Sequence, residues 1–129
     1  MKTSLKTFAF TMFMFAAFSL SAQTLTDRSM KNYIAGLQSD NQGVAESCLM
    51  IVAKMKIEHP DWNTASFEKA VKNMIVSKSN TANRYKLYLT SYILENPAAM
   101  KDVNFNGCEE CDQFFLIAAT KINQDLASL

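Results

Sequence analysis

Asn63-Thr64-Ala65-Ser66-Phe67-Glu68-Lys69-Ala70-Val71-Lys72-Asn73-Met74-Ile75 is the stretch whose reading decides the fold. Phe67, Ala70, Val71, Met74 and Ile75 recur at i, i+3, i+4, i+7 and i+8, the apolar face of an amphipathic helix, and Asn63 or Thr64 can cap its start. The same period extends in both directions. Toward the N-terminus, Val44, Cys48, Ile51, Val52 and Met55 form a stripe between the capping residues Ser39-Asp40-Asn41 and the stop at His59-Pro60, where a residue preceding proline is pushed out of helical geometry. Met30, Tyr33, Ile34 and Leu37 form another before it. Toward the C-terminus, Ser77, Ser79 and Asn80 interrupt the pattern, and Tyr85, Tyr88, Leu89, Tyr92 and Ile93 resume it until Asn96-Pro97. A short helical turn over Pro97 to Lys101, a loop over Asp102 to Gly107 and a final helix carrying Phe114, Phe115, Ile117, Ala118, Lys121, Ile122 and Leu126 complete the chain. Strand signals are missing: the β-branched residues are scattered, and Asn106-Gly107 leads into a helix instead of joining two alternating runs. The expected fold class is all-α.

The composition fits a compact protein. Of 129 residues, 49% are hydrophobic and 19% charged, with 3 glycines and 2 prolines, which excludes a disordered or collagenous chain. Lys2 and Lys6, an apolar run from Phe8 to Leu20, and the small residues Ser19, Ser21 and Ala22 have the three-part layout of a secretory signal. The run is shorter than the ~20 residues a spanning helix needs, and no lipid-acceptor cysteine follows it before Cys48. The expectation is therefore a signal over residues 1–22, one all-α domain over 23–129, a periplasmic or secreted location, and no membrane span after cleavage. Cleavage removes Lys2 and Lys6 and no acidic residue, moving the formal charge from +1 to −1. Nucleic acid is not an expected partner, because a phosphate-backbone footprint needs a basic surface.

The first four helices pair into two hairpins, and a shift of 38 residues places Ser39 on Ser77, Leu37 on Ile75, Leu49 on Leu87 and Met55 on Ile93. The segment from Tyr33 through Val44 to Met55 resembles a HEAT-like repeat: a first helix ending in leucine, an Asp/Asn/Ser turn, and a second helix opening with valine. Phe67 to Leu94 is similar to a weaker copy, with Arg84 near the basic position early in the second helix. Two departures stand out, since the proline usual in the first helix is missing and Ala45 stands where a basic residue is expected. The resemblance implies antiparallel hairpins stacked as a short array, with the last helix as a cap, and a scaffold that binds another protein.

Cys108-Glu109-Glu110-Cys111 is the one motif with a chemical reading. On a helix, cysteines three apart have Cα atoms ~5–6 Å apart, within disulfide range. Asn106 and Glu109 look like a capping box, which places both cysteines in the first turn of the last helix. A structural disulfide is the default in an oxidising compartment, and reduced, metal-binding or redox-active thiols are the alternatives. Asp112 occupies the position that a haem-attachment motif reserves for histidine, so no haem is expected, and no other cofactor is implied. Cys48 lies on an apolar stripe and reads as a buried free thiol. A zinc site would need Cys48 and His59 at one ion, although they sit roughly 16 Å apart along one helix.

His59 is the sole histidine, and no nucleophile-base spacing, phosphate loop or isolated carboxylate pair surrounds it. An enzyme is not expected. Tyr85, Tyr88 and Tyr92 form a stripe of amphipathic rings that either lines the hairpin core or makes a partner-binding surface. The leading expectation is an exported, non-catalytic scaffold, and the alternative is a thiol or metal-handling protein using Cys108 and Cys111. Intact mass of the exported protein checks the leader: the expected chain begins at Gln23, and a mass retaining residues 1–22 would refute cleavage.

Overall fold

The computed structural model describes residues 27–77 and 81–129, and in them the chain is helical, with no strand. The signal expected over residues 1–22 lies outside the described residues. Helix α1 covers 27–37, α2 Gln42–Glu58, α3 Ala65–Val76, α4 Arg84–Glu95 and α5 Cys111–Ala127, with a 3-10 turn at Pro97–Met100 between the last two. At the starts of α2, α3 and α4 an asparagine side chain satisfies an orphan N–H group. Asn41 Oδ1 accepts from Val44 N at 3.2 Å, Asn63 Oδ1 from Ala65 N at 3.1 Å, and Asn83 Oδ1 from Tyr85 N at 2.9 Å.

Packing follows from which faces are apolar. Helix α4 packs on both α2 and α3, α5 packs against α2 and α4, and the 3-10 turn touches α2, α4 and α5. Met100 in that turn is fully buried, so the short segment between two longer helices fills the core. Helices α2 and α3 are consecutive but do not pack on each other; α4 lies between them in the contact order. The core gathers Leu37, Leu49, Phe67, Leu87, Ile93 and Phe114, at least one from every helix.

Two stripes differ from the sequence expectation. On α2 the buried set includes Ala45, Glu46, Leu49, Met50 and Ala53 beside Cys48 and Val52, whereas Val44 is exposed. A helix contacting α4, α5 and the 3-10 turn buries more than one face, so a single stripe under-describes it. On α4 the inward residues are Leu87, Leu89, Thr90, Ile93 and Leu94, and the tyrosines point outward. Thr90 is the polar exception, since its buried hydroxyl has no hydrogen-bond partner among the described residues, a cost of about 1–3 kcal/mol.

Helix α1 meets α2 at a point where a side chain has no room. A Cβ built on Gly36 would lie 2.5 Å from Cys48 Sγ and 3.8 Å from a Val44 methyl. The sulfur is also buried, which pushes the Cys48 thiol up from its ordinary range and keeps it a neutral, inert free thiol. Gly36→Ala should therefore destabilise the protein by about 1–3 kcal/mol despite alanine's better helix propensity. Adding Cys48→Ala removes the colliding sulfur and should recover at least half of that loss in thermal denaturation; additive losses would refute the close approach.

Candidate functional site

The densest polar cluster sits where α2, α4 and α5 meet. Glu46 lies on α2 at only 7% exposure, so its charge needs partners. Lys86 Nζ donates to Oε1 at 2.6 Å, while Asn83 N at 2.9 Å and Gln42 Nε2 at 3.0 Å donate to Oε2. Asn83 therefore serves twice: its side chain caps α4 and its backbone N–H binds the carboxylate. The Lys86 ammonium also donates to Asp112 on α5 and stands 5.9 Å from the centre of the Phe115 ring. Cys111, the first residue of α5, points its thiol at the Glu46 carbonyl oxygen, 3.4 Å away.

The titration of these groups follows from the geometry. Burial pushes the Glu46 carboxyl up, but the bonds from Lys86, Asn83 and Gln42 together outweigh it and hold the group below the ordinary carboxylate range. Burial likewise opposes the charge on Lys86, and the carboxylates of Asp112 and Glu46 overcome it, so the ammonium persists above its usual range. Burial raises the Cys111 thiol, Lys86 works against that rise, and Glu46 and Asp112 add to it, with a net upward shift. The cluster thus holds a carboxylate with both oxygens occupied, an ammonium and a neutral thiol. None of the three is poised as a base or nucleophile at neutral pH; the arrangement joins three helices.

Cys108 and Cys111 are both free thiols, a correction to the expected disulfide. Helix α5 starts at Cys111 with Glu110 as its N-cap, so Cys108 lies outside the helix and the same-face spacing does not apply to the pair. The expected capping box is absent as well, because Asn104 Oδ1 takes the Asn106 N–H at 2.9 Å and Gly107 turns the chain at φ 76°. Cys108 is buried, its sulfur lies 3.9 Å from the Glu110 carbonyl oxygen, and its own carbonyl accepts from Lys54 Nζ. Lys54, Phe105, Asn106 and Cys108 border a polar groove of about 350 Å³.

The tyrosine stripe is exposed, at 56% for Tyr85, 53% for Tyr88 and 38% for Tyr92. Of the two expected placements, the rings take the surface. Tyr85 and Lys86 border a shallow groove of about 360 Å³ whose opposite wall is Asp112, Phe115 and Leu116 of α5. His59 sits at the exposed end of α2 and stacks on the half-buried Trp62, centroids 4.1 Å apart, while Lys56 Nζ donates to the Trp62 carbonyl at 2.7 Å. Among the described residues, no three His, Cys, Asp or Glu side chains converge as metal ligands, and no helix is long and apolar enough to cross a membrane.

Sequence reasoning missed Glu46 and Lys86. Gln42 lies four residues before Glu46 and hints at a local pair, but nothing in the sequence connects Glu46 with Asn83 or Lys86 on another helix. Comparison of the chain with protein-family models, curated proteins and solved structures finds no match.

Magnitudes separate the two arms of the lysine. The Glu46 and Lys86 side chains are 9% and 14% exposed, against 89% for Asp112. Glu46→Ala would leave a largely buried ammonium and the Asn83 N–H without their acceptor and should cost about 2–4 kcal/mol, whereas Asp112→Asn should cost under ~0.5 kcal/mol. Because the folded carboxyl of Glu46 lies below its unfolded value near 4.5, its contribution is present above that pH and lost as the pH falls through the folded value. Urea denaturation between pH 6 and pH 3 should accordingly show a smaller acid loss for Glu46→Gln than for the wild type; parallel curves would refute the tie.

Proposed function

We propose that the chain is an exported, non-catalytic helical array that binds another protein through the tyrosine face of α4. The observation that carries the reading is the exposure of Tyr85, Tyr88 and Tyr92 on a helix whose other faces are buried. Tyrosine supplies broad apolar contact and a hydroxyl while losing little rotamer freedom, which is why it is enriched where proteins bind. Rows three and seven residues apart line up along the helix, and the groove beside Tyr85 offers a recess for a partner side chain. Stacked hairpins, with α2 and α4 as the second helices of two HEAT-like units, would present such a helix on an extended surface.

Export rests on the N-terminal pattern of Lys2, Lys6 and the apolar run, and places the partner outside the cytoplasm. The alternative, thiol or metal handling, draws less support. A catalytic thiol needs a lowered pKa, whereas burial pushes the Cys111 thiol up, and no three possible metal ligands converge among the described residues.

A photo-crosslinking residue placed at Tyr88 in the producing cells should give one discrete protein adduct, and the same residue at the exposed Lys69 on α3 should not. Tyr88→Ala combined with Tyr92→Ala should weaken binding of the captured protein at least about tenfold with the melting temperature changed by less than ~2 °C. No adduct at Tyr88, or undiminished binding by the double variant, would overturn the reading.

A further inference from the structure

The junction between the 101–110 loop and α5 carries the one sequence motif that binding by α4 leaves unused. We infer that Cys108 and Cys111 are a reversible thiol–disulfide pair whose closure loosens the attachment of the start of α5 to α2. The inference stands apart from the tyrosine-face reading and survives its failure.

Three contacts hold this junction against the rest of the molecule. The Cys111 S–H donates to the Glu46 carbonyl of α2, Asp112 accepts from Lys86 of α4, and the Cys108 carbonyl accepts from Lys54 of α2. Closing the disulfide acts on all three. A disulfide sulfur carries no proton, so the donor to Glu46 disappears. A disulfide also requires Cα atoms 4.4–6.8 Å apart. The two sulfurs face different partners, Cys108 the Glu110 carbonyl and Cys111 the Glu46 carbonyl, so joining them moves either the 108–110 segment or the first turn of α5. Either movement shifts Cys111 and the neighbouring Asp112, and draws Cys108 from a position where it is buried. Gly107, already in the left-handed region, and the exposed Glu109 and Glu110 are the places where the backbone can adjust.

The oxidant required is a low-molecular-weight disulfide. The half-exposed Cys111, as its thiolate, attacks one sulfur of the reagent; the reagent S–S bond breaks, a mixed disulfide forms and one reagent thiolate leaves. The Cys108 thiolate then attacks Cys111 Sγ, the intramolecular bond forms and the second reagent thiolate departs. Two protein thiols are oxidised, one reagent disulfide is reduced, and the two protons lost from the cysteines finish on the two reagent thiols. Since burial raises the Cys111 thiol, the reaction should be slow at neutral pH and quicken as the pH rises.

The test treats the purified native chain with oxidised glutathione, then with dithiothreitol, and follows intact mass, peptide mapping and amide hydrogen exchange. The expected product has lost about 2 Da, maps to Cys108 joined to Cys111 with Cys48 unmodified, and reverts on reduction. Exchange over residues 108–116 should be about fivefold faster in the oxidised form, the loss of one hydrogen bond's worth of protection, with α3 unchanged. Cys111→Ser keeps a donor for Glu46 and cannot oxidise, so its exchange should not respond to the reagent. A glutathione adduct without the intramolecular bond, a bond with unchanged exchange in α5, or a response by Cys111→Ser would each overturn the inference.

Discussion

A carboxylate placed among helices has to be paired, and Glu46 transmits that requirement to its neighbours. Its position on the buried side of α2 demands donors from whatever packs there, and α4 supplies two from adjacent parts of its first turn, the Asn83 N–H and the Lys86 ammonium. Sliding α4 by one residue along α2 would take both donors away at once and leave a charge in a site nearly closed to water. Hydrophobic contact between the two helices tolerates small shifts; a carboxylate with three fixed donors does not. The same lysine then reaches Asp112, and the Glu46 carbonyl meets Cys111, so the start of α5 is referenced to the α2–α4 pair.

That arrangement explains the surface as well as the core. Helix α4 has α2 and α3 on two sides and α5 near its start, which leaves a strip for solvent. The residues on the strip are the tyrosines, and the aliphatic positions between them fill the interior. A helix with several buried faces spends its leucines and isoleucine inward, and the amphipathic rings take the boundary, where an apolar body and a polar tip are both served. The proposed binding face is thus the side of α4 that the packing of its neighbours leaves open.

The junction before α5 shows how one local competition redirects a site. Asn106 stands at the right spacing to open a capping box with Glu109, but Asn104 captures the Asn106 N–H and Gly107 turns the backbone first. The helix begins at Cys111, and two cysteines expected on one helical face find separate partners on either side of its start. A shift of a few residues in a helix boundary separates the two thiols of the motif, because the i, i+3 same-face spacing holds only within continuous helix.

Local physics was legible in the chain from the beginning. The all-α class, the breaks at Asn63 and Pro97 and after Ser77, the burial of Cys48 and the short helical turn that begins at Pro97 all follow from apolar period, capping chemistry and proline, which act over a few residues. The direction in which the α4 tyrosines face and the meeting of Glu46 with Lys86 were decided by the tertiary structure, whereas the start of α5 was set by a local turn in which Asn104 takes the Asn106 N–H. Periodicity names the faces of a helix, and only its neighbours determine which are covered; α2 and α4 each have several. An ion pair across helices depends on distances in space, and sequence separation carries no measure of those distances.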